Sequence, residues 1–219
     1  MYLAVKRVLD IFFSLLAVII LLPIMLIVAL IVFLGDFDTP FFFQDRLGRN
    51  GKMFKIMKFR TMKLSKNPNE DLYIQKDDVR ITKVGGFLRN TSLDELPQLI
   101  NILKGDMSFI GPRPPLPNFP CTYDGYSPEQ KTRFLVKPGL SGLSQVKLRN
   151  SVPWSERIVL DIEYVKNISF LSDIKLFFMT IGVVIFSRNI YAENPEISRI
   201  GIYNEPVPEP EPEEAKIAE

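Results

Sequence analysis

Residues 11–34 hold 24 side chains without a charge, and Ser14 is the only polar one among them. A run this long and apolar is a membrane segment, since it exceeds the roughly 20 residues that a hydrocarbon core requires. It is no cleavable leader: it is too long, and no small-residue cleavage site precedes Asp36. As one straight helix it would reach about 36 Å. Pro23 divides it into arms of 12 and 11 residues, each about 17–18 Å long and able to reach only halfway through. Cations flank both ends: Lys6 and Arg7 before, then Arg46, Arg49, Lys52, Lys55 and Lys58 after. The positive-inside tendency places both flanks on the cytoplasmic side. A helix bent at Pro23 that enters and leaves by one face satisfies both facts; a Pro-kinked crossing helix satisfies the first alone. The residues by themselves leave the two open.

Charge is unevenly spread. Residues 205–219 carry six Glu and one Lys, so the remaining body is at +7 within a chain of net +2. A basic body seeks an anionic partner, such as phosphates or a lipid headgroup surface. Nucleic acid is a poor candidate, because the cations are not interleaved with aromatics in a recognisable module. The absence of histidine excludes a Ser-His-Asp triad, a histidine base and histidine-ligated zinc. The single Cys121 excludes an intrachain disulfide.

Along the chain, 41–46 and 53–59 read as strands joined by a hairpin at Gly48 and Asn50-Gly51. Residues 66–78 read as a polar loop and 81–90 as a short helix. The segment 106–120 is Pro-rich, with Arg113 between Pro112 and Pro114. Flanking prolines stiffen that backbone, so the guanidinium is offered to an oxyanion at low ordering cost. Ser127-Pro128-Glu129-Gln130 opens a helix to about Val136, with a capping box. Lys137–Gly142 reads as a Gly/Pro loop beside Lys147 and Arg149, and 155–166 as a helix. A further helix from Ser172 to about Arg188 is apolar over 176–186, too short to span and suited to the core or the interface. The Pro- and Glu-rich 205–219 is expected to be disordered.

The stretch Thr91-Ser92-Leu93-Asp94-Glu95-Leu96-Pro97 sets two adjacent carboxylates at a helix start. Leu96, Leu99, Ile100 and Leu103 supply the apolar stripe, and Gly105 a stop. Asp94 caps this helix, or Ser92 does with Glu95 closing a capping box. The alternative to a plain helix start is chemistry. A carboxylate can attack phosphorus, while Lys58, Arg60, Arg89 and Arg113 neutralise phosphoryl oxygens with a Mg²⁺ on the second carboxylate. Composition and spacing do not select between the two.

Phe43–Gly51, Phe54–Met62, Asp78–Gly85, Leu88–Asn101, Gly105–Pro114 and Lys137–Gly142, followed by Asp161, Tyr164, Ser169 and Asp173, together resemble the bacterial sugar transferase family, the monotopic phosphoglycosyl transferases. The resemblance covers roughly residues 1–190, with the motifs in order.

It implies a mainly α fold with a small β-hairpin (α+β). It further implies a re-entrant helix over 1–35 kinked at Pro23, a cytoplasmic catalytic domain over 36–200 with interfacial helices, and a tail over 201–219. Asp94 would be the nucleophile towards a UDP-sugar, releasing UMP and leaving a phosphosugar on Asp94 for polyprenyl (undecaprenyl) phosphate to collect. Glu95 would hold Mg²⁺. Lys58 and Arg113 would bind phosphates, with Arg60, Arg89 and Asp173 as further substrate-binding residues. The site would face the cytoplasm at the bacterial inner membrane, as the minimal catalytic form of the family, among membrane lipids. Two departures stand out: Leu22-Pro23, where many relatives have Ser-Pro, and 36–40 in place of the usual Gly-Pro lead-in to the first strand. A glycosyltransferase releasing UDP and a non-enzymatic membrane scaffold are the competing readings. The sugar and the oligomeric state, a dimer included, stay open.

Overall fold

A computed structural model of the chain describes residues 2–63, 79–148 and 153–186. The expected loop over 66–78, Arg149, the end of the last helix at Arg188 and the tail over 201–219 therefore lie outside the described residues.

The chain starts with helix α1, Tyr2–Asp36, and helical backbone continues through Pro23. Both arms expected from the sequence lie within this one element. Pro23 removes one donor, and side chains packed on both sides of it carry the helix across. One face lies on the rest of the molecule. Ala17, Val18 and Leu21 pack with Ile56, Leu99, Ile102 and Met107. Met25, Val28 and Val32 pack with Phe59 and Leu88. The other faces, including Ile19, Ile20, Leu26, Ile27 and Leu30, stand open. The helix is long and apolar enough to cross a membrane by length and composition.

Both ends of α1 are fastened to the body. At its start Arg7 donates to the carbonyls of Ile102 (2.6 Å) and Leu103 (2.9 Å). Buried Asp10 accepts from Ser108 Oγ at 3.0 Å. At its end Asp36 takes a two-pronged bond from Arg60.

The hairpin expected from the sequence is present: β1 (Phe41–Leu47) pairs antiparallel with β2 (Met53–Phe59), Phe41 opposite Phe59 and Leu47 opposite Met53. Asn50 (φ 55°) and Gly51 (φ 73°) make its turn. Helix α2, Lys83–Asn90, is capped by Thr82, whose side chain accepts from the Gly85 N–H at 2.8 Å.

The carboxylate stretch folds otherwise than expected. Leu93–Glu95 form a single 3-10 turn, and helix α3 begins only at Gln98, running to Lys104 with Gly105 as its left-handed stop. No side chain caps either element. A side-chain N-cap needs extended backbone; Ser92 sits at φ 57°, which turns its hydroxyl away, so the capping box does not form. The inward face of α3 is Gln98, Leu99, Asn101 and Ile102, shifted from the apolar stripe. Asn101 accounts for part of the shift: its amide donates to the Lys55 carbonyl (2.8 Å) and accepts from the Met57 N–H (3.0 Å), stitching α3 to β2.

Two segments expected to be loops contain short strands. β3 (Ser108–Ile110) and β4 (Gly139–Ser141) pair in parallel. Three-residue strands offer no periodicity to read. The capping box after Ser127 does form, Ser127 and Gln130 exchanging bonds at 3.0 and 3.3 Å. The segment behind it is 3-10, Gln130–Phe134, not α; Lys137-Pro138 leaves it little room. Helices α4 (Leu143–Leu148), α5 (Trp154–Lys166) and α6 (Phe170–Phe186) complete the fold. α6 starts two residues earlier than expected because Ser169 and Ser172 cap each other's N–H groups. Its Leu176 is buried, while Leu171, Phe177 and Phe178 are exposed. The chain is thus mostly helical with a small antiparallel sheet.

Candidate active site

The 3-10 turn after α2 projects Asp94 and Glu95 towards β2. Asp94 is 8% exposed, while the Glu95 side chain keeps 27% of its surface. Lys58, on β2, donates to Glu95 Oε1 at 2.5 Å. Lys58 shares a strand face with Ile56, which packs on Leu99 and Ile102 of α3, so that face is turned towards the carboxylate stretch. Arg89 closes α2, its Nε held by Thr61 Oγ1 at 2.8 Å, and its charge reaches Asp94.

The segment that carries Arg113 is fixed from several sides. Gly111 N–H donates to Ser141 O, and Pro112 O accepts from Gly139 N–H, both at 2.9 Å. Pro114 O accepts from Arg46 Nη1 at 3.1 Å, and Pro115 O from Leu47 N–H at 3.0 Å. The Arg113 carbonyl accepts from Arg133 Nη2 at 2.8 Å. Arg133 is itself buried, paired to Asp161 at 2.5 Å and set beside the rings of Phe134 and Trp154. Ser144 donates to the other Asp161 oxygen at 2.7 Å. The half-buried Arg113 side chain lies near Glu95, close enough to stabilise its negative charge.

The two carboxylates are pushed apart electrostatically. Burial lifts Asp94 to about 6; Lys58 and Arg89 pull the other way, and Glu95 adds to the rise. For Glu95 burial is outweighed by Lys58 and Arg113, which hold it below the usual glutamate range. A pair split this way divides labour: one group is the more basic, the other a standing anion. Arg46 joins this cluster. Burial and the nearby Arg113 lower it to about 10, against the pull of Glu95.

Asp94, Glu95, Lys58, Arg89 and Arg113 thus come together. Arg60 does not: just beyond the end of β2, it pairs with Asp36 and donates from Nε to the Thr39 carbonyl at 2.6 Å. Asp173 does not either. It binds Lys6, Tyr2 Oη (2.5 Å) and Tyr164 Oη (2.8 Å), joining α1, α5 and α6. Both are expected at the substrate from the sequence; in the structure Arg60 joins Asp36 to the end of the hairpin and Asp173 joins three helices. Arg46, Thr61 and Gln98 were not singled out. Their signal lay within the matched motifs, and for Gln98 also in being a polar residue beside an apolar stripe.

Glu95 is the residue that could hold a metal. Among the described residues no group of three or more carboxylate or thiol side chains gathers. A Mg²⁺ here would take one carboxylate oxygen from Glu95 and its other ligands from water and substrate phosphates.

The sequence matches the bacterial sugar transferase family over residues 1–187. It is 42% identical over 162 residues to the galactosyl transferase CpsE of Streptococcus agalactiae, covering 68% of this chain and 35% of that one. It is 38% identical over 202 residues to the UDP-galactose-lipid carrier transferase of Erwinia amylovora, covering 85% and 41%. A UDP-glucose:undecaprenyl-phosphate glucose-1-phosphate transferase of Caulobacter vibrioides is 38% identical over 191 residues, covering 85% and 72%. The chain spans well under half the length of the first two relatives.

Proposed function

The chain belongs to the bacterial sugar transferase family, and from that premise we propose that it moves a sugar-1-phosphate from a UDP-sugar to polyprenyl phosphate. The names of the Erwinia and Caulobacter relatives support both substrates. The observation that carries the reading is the arrangement of Asp94: a buried carboxylate next to Glu95, which Lys58 pairs at 2.5 Å, with the charge of Arg89 within reach.

In this reading an Asp94 oxygen attacks the sugar-bearing phosphorus. The bond from that phosphorus to the bridging oxygen breaks, and UMP leaves with the electron pair. An oxygen of polyprenyl phosphate then attacks the phosphosugar on Asp94, breaking the Asp94–phosphorus bond and restoring the carboxylate. Lys58, Arg89 and Arg113 supply positive charge for the phosphoryl oxygens, held in place before substrate arrives. Glu95 would hold a Mg²⁺, which when bound adds further neutralisation of those oxygens.

We place the protein at the cytoplasmic face of the bacterial inner membrane, with α1 re-entrant. The support is that both ends of α1 are tied to one body, through Arg7 and Asp10 at the start and Asp36 at the end. Both ends tied to one body suit entry and exit by one face. The exposed apolar faces of α1 and α6 then meet lipid, which confines the search for a lipid phosphate to the interface.

The test is the nucleotide product. Purified protein, UDP-sugar, polyprenyl phosphate and Mg²⁺ should release UMP, and Asp94→Asn should abolish it. Release of UDP would point to direct glycosyl transfer, and full activity of Asp94→Asn to no covalent role.

A further inference from the structure

Two cations meet over Gly105, the residue that ends α3. A Cβ built there would lie 3.1 Å from Arg7 Nη2 and 3.2 Å from Lys137 Nζ. Both side chains are half-buried, so neither is sealed from an arriving group. The charge of exposed Arg49 also reaches Lys137. Arg7 spends two donors on the carbonyls of Ile102 and Leu103, which are neutral and leave its charge standing. Among the described residues Lys137 Nζ has neither a hydrogen-bond acceptor nor an ion-pair partner. Lys6, one residue before Arg7, is by contrast paired with Asp173. Asp10 and Asp106 act on Lys137 without pairing with it; Asp10 is committed to Ser108 Oγ and the Phe109 N–H, and Asp106 to the Asn101 amide. Burial, Arg7 and Arg49 together hold the Lys137 ammonium below the usual lysine range. Crowding like charges is unfavourable, and an anion between them would relieve it.

We infer that Arg7 and Lys137, with Arg49 at the rim, form a site for the phosphate of an anionic bilayer lipid; this rests on the membrane placement of α1 above, not on the phosphoryl transfer. The depth suits the ligand. Arg7 lies one turn before Ile11, where the uncharged run of α1 begins, and Leu3, Val8 and Phe12 around it are exposed. With α1 in the bilayer, the two nitrogens stand where headgroup phosphates lie. The chemistry suits it too. The nitrogens are close enough together for one phosphate to bridge them through two of its oxygens, in charge-assisted bonds. A zwitterionic lipid would bring a cation of its own against Lys137. The cluster is apart from the candidate active site: neither Asp94 nor Glu95 is among the leading charges on Lys137, nor Lys137 among theirs.

The experiment places the full chain in phosphatidylcholine vesicles with a trace of spin-labelled phosphatidylglycerol or spin-labelled phosphatidylcholine. Electron paramagnetic resonance reads the fraction of each label that the protein immobilises. Wild type is expected to hold phosphatidylglycerol at least about fivefold over phosphatidylcholine, the scale of one cation at an anionic membrane surface. Lys137→Met should bring that preference close to unity, and Lys137→Arg should keep it. Equal retention of both lipids by wild type overturns the site, and so does an unchanged preference in Lys137→Met. Should Lys137→Met not fold, Arg49→Glu at the exposed rim decides: its preference should fall at least about twofold, and an unchanged one overturns the site. Two competitors identify the source of the phosphate. Excess inorganic phosphate should leave the labelled phosphatidylglycerol in place, and polyprenyl phosphate should displace it no more than unlabelled phosphatidylglycerol does. Displacement by the first would make the ligand a free anion, stronger displacement by the second the acceptor lipid, and either overturns the assignment to a bilayer lipid. If neither label is immobilised, the membrane placement fails and the site with it; a lipid shell without preference removes the site alone.

Discussion

Thr61 Oγ1 accepts a hydrogen bond from Arg89 Nε at 2.8 Å, and this one contact turns the last guanidinium of α2 towards Asp94. Thr61 is in turn held by its own backbone, whose carbonyl accepts from Thr82 N–H at 3.1 Å. Thr61 is thus a positioning residue. In Thr61→Val the guanidinium loses its guide. A hydrogen bond to a charged group contributes about 1.5–3 kcal/mol, so kcat should fall about tenfold or more with little change in KM. Thr61→Ser should restore it. Equal activity of the Val and Ser variants would show that Arg89 needs no such guide.

Glu95→Gln keeps shape but removes the anion that Lys58 and Arg113 face. Turnover should fall by at least about 100-fold, and the Mg²⁺ concentration for half-maximal activity should rise. Titrating Mg²⁺ against UMP release in both proteins checks this; an unchanged half-maximal concentration would take the metal away from Glu95.

Asp161 neutralises Arg133 where neither is exposed beyond 1%. Asp161→Asn strands a buried cation, which should cost about 3–5 kcal/mol and lower the melting temperature markedly. Replacing both partners, Arg133→Met with Asp161→Leu, should recover most of that stability. The double variant should still show a raised KM for UDP-sugar, because the Arg113 carbonyl has lost its clamp at 2.8 Å. A double variant with wild-type KM would separate Arg133 from the site.

Gly85 admits no side chain. A Cβ there would lie 1.9 Å from the Thr61 carbonyl oxygen, so Gly85→Ala must part α2 from the end of the hairpin. Overpacking of this kind costs about 1–3 kcal/mol. Thermal unfolding should show the loss, with activity falling as well, since Arg89 moves with α2. An Ala variant as stable as wild type would contradict the packing.

The ends of α1 offer a topological check. With Cys121 replaced by Ser, single cysteines at Leu3 and Phe37, both exposed, should react with a membrane-impermeant thiol reagent from the same side of sealed vesicles. Labelling from opposite sides would mean a crossing helix.

The hairpin, α2, α5 and the long helix were legible because each rests on local signals: turn residues, capping residues or apolar runs. The cluster of Asp94, Glu95, Lys58, Arg89 and Arg113 was legible only through the combination of motifs, since nothing in their spacing brings β2, α2 and the Pro-rich segment together. Arg60 shows the limit. Two residues after Lys58 and just beyond its strand, it reads as equivalent in chemistry, yet its guanidinium pairs with Asp36. Gln98 and Asn101 were hidden by a different cause. Polar residues on a helix read as solvent-facing, whereas here they are the buried face, with backbone and carboxylate as neighbours. Ser92 misled for a third reason: its type favours a cap, but a positive φ, which no side-chain pattern announces, reversed its direction.

Met25, Val28 and Val32 of α1 close over Phe59 and Leu88, so the helix long and apolar enough to cross a membrane is also a wall of the protein's interior. Trimming it away to obtain a water-soluble fragment would open that interior and leave Arg60 without its counter-ion. The apolar helix is thus structural masonry as well as a membrane-length segment: the strand that carries Lys58 rests against it.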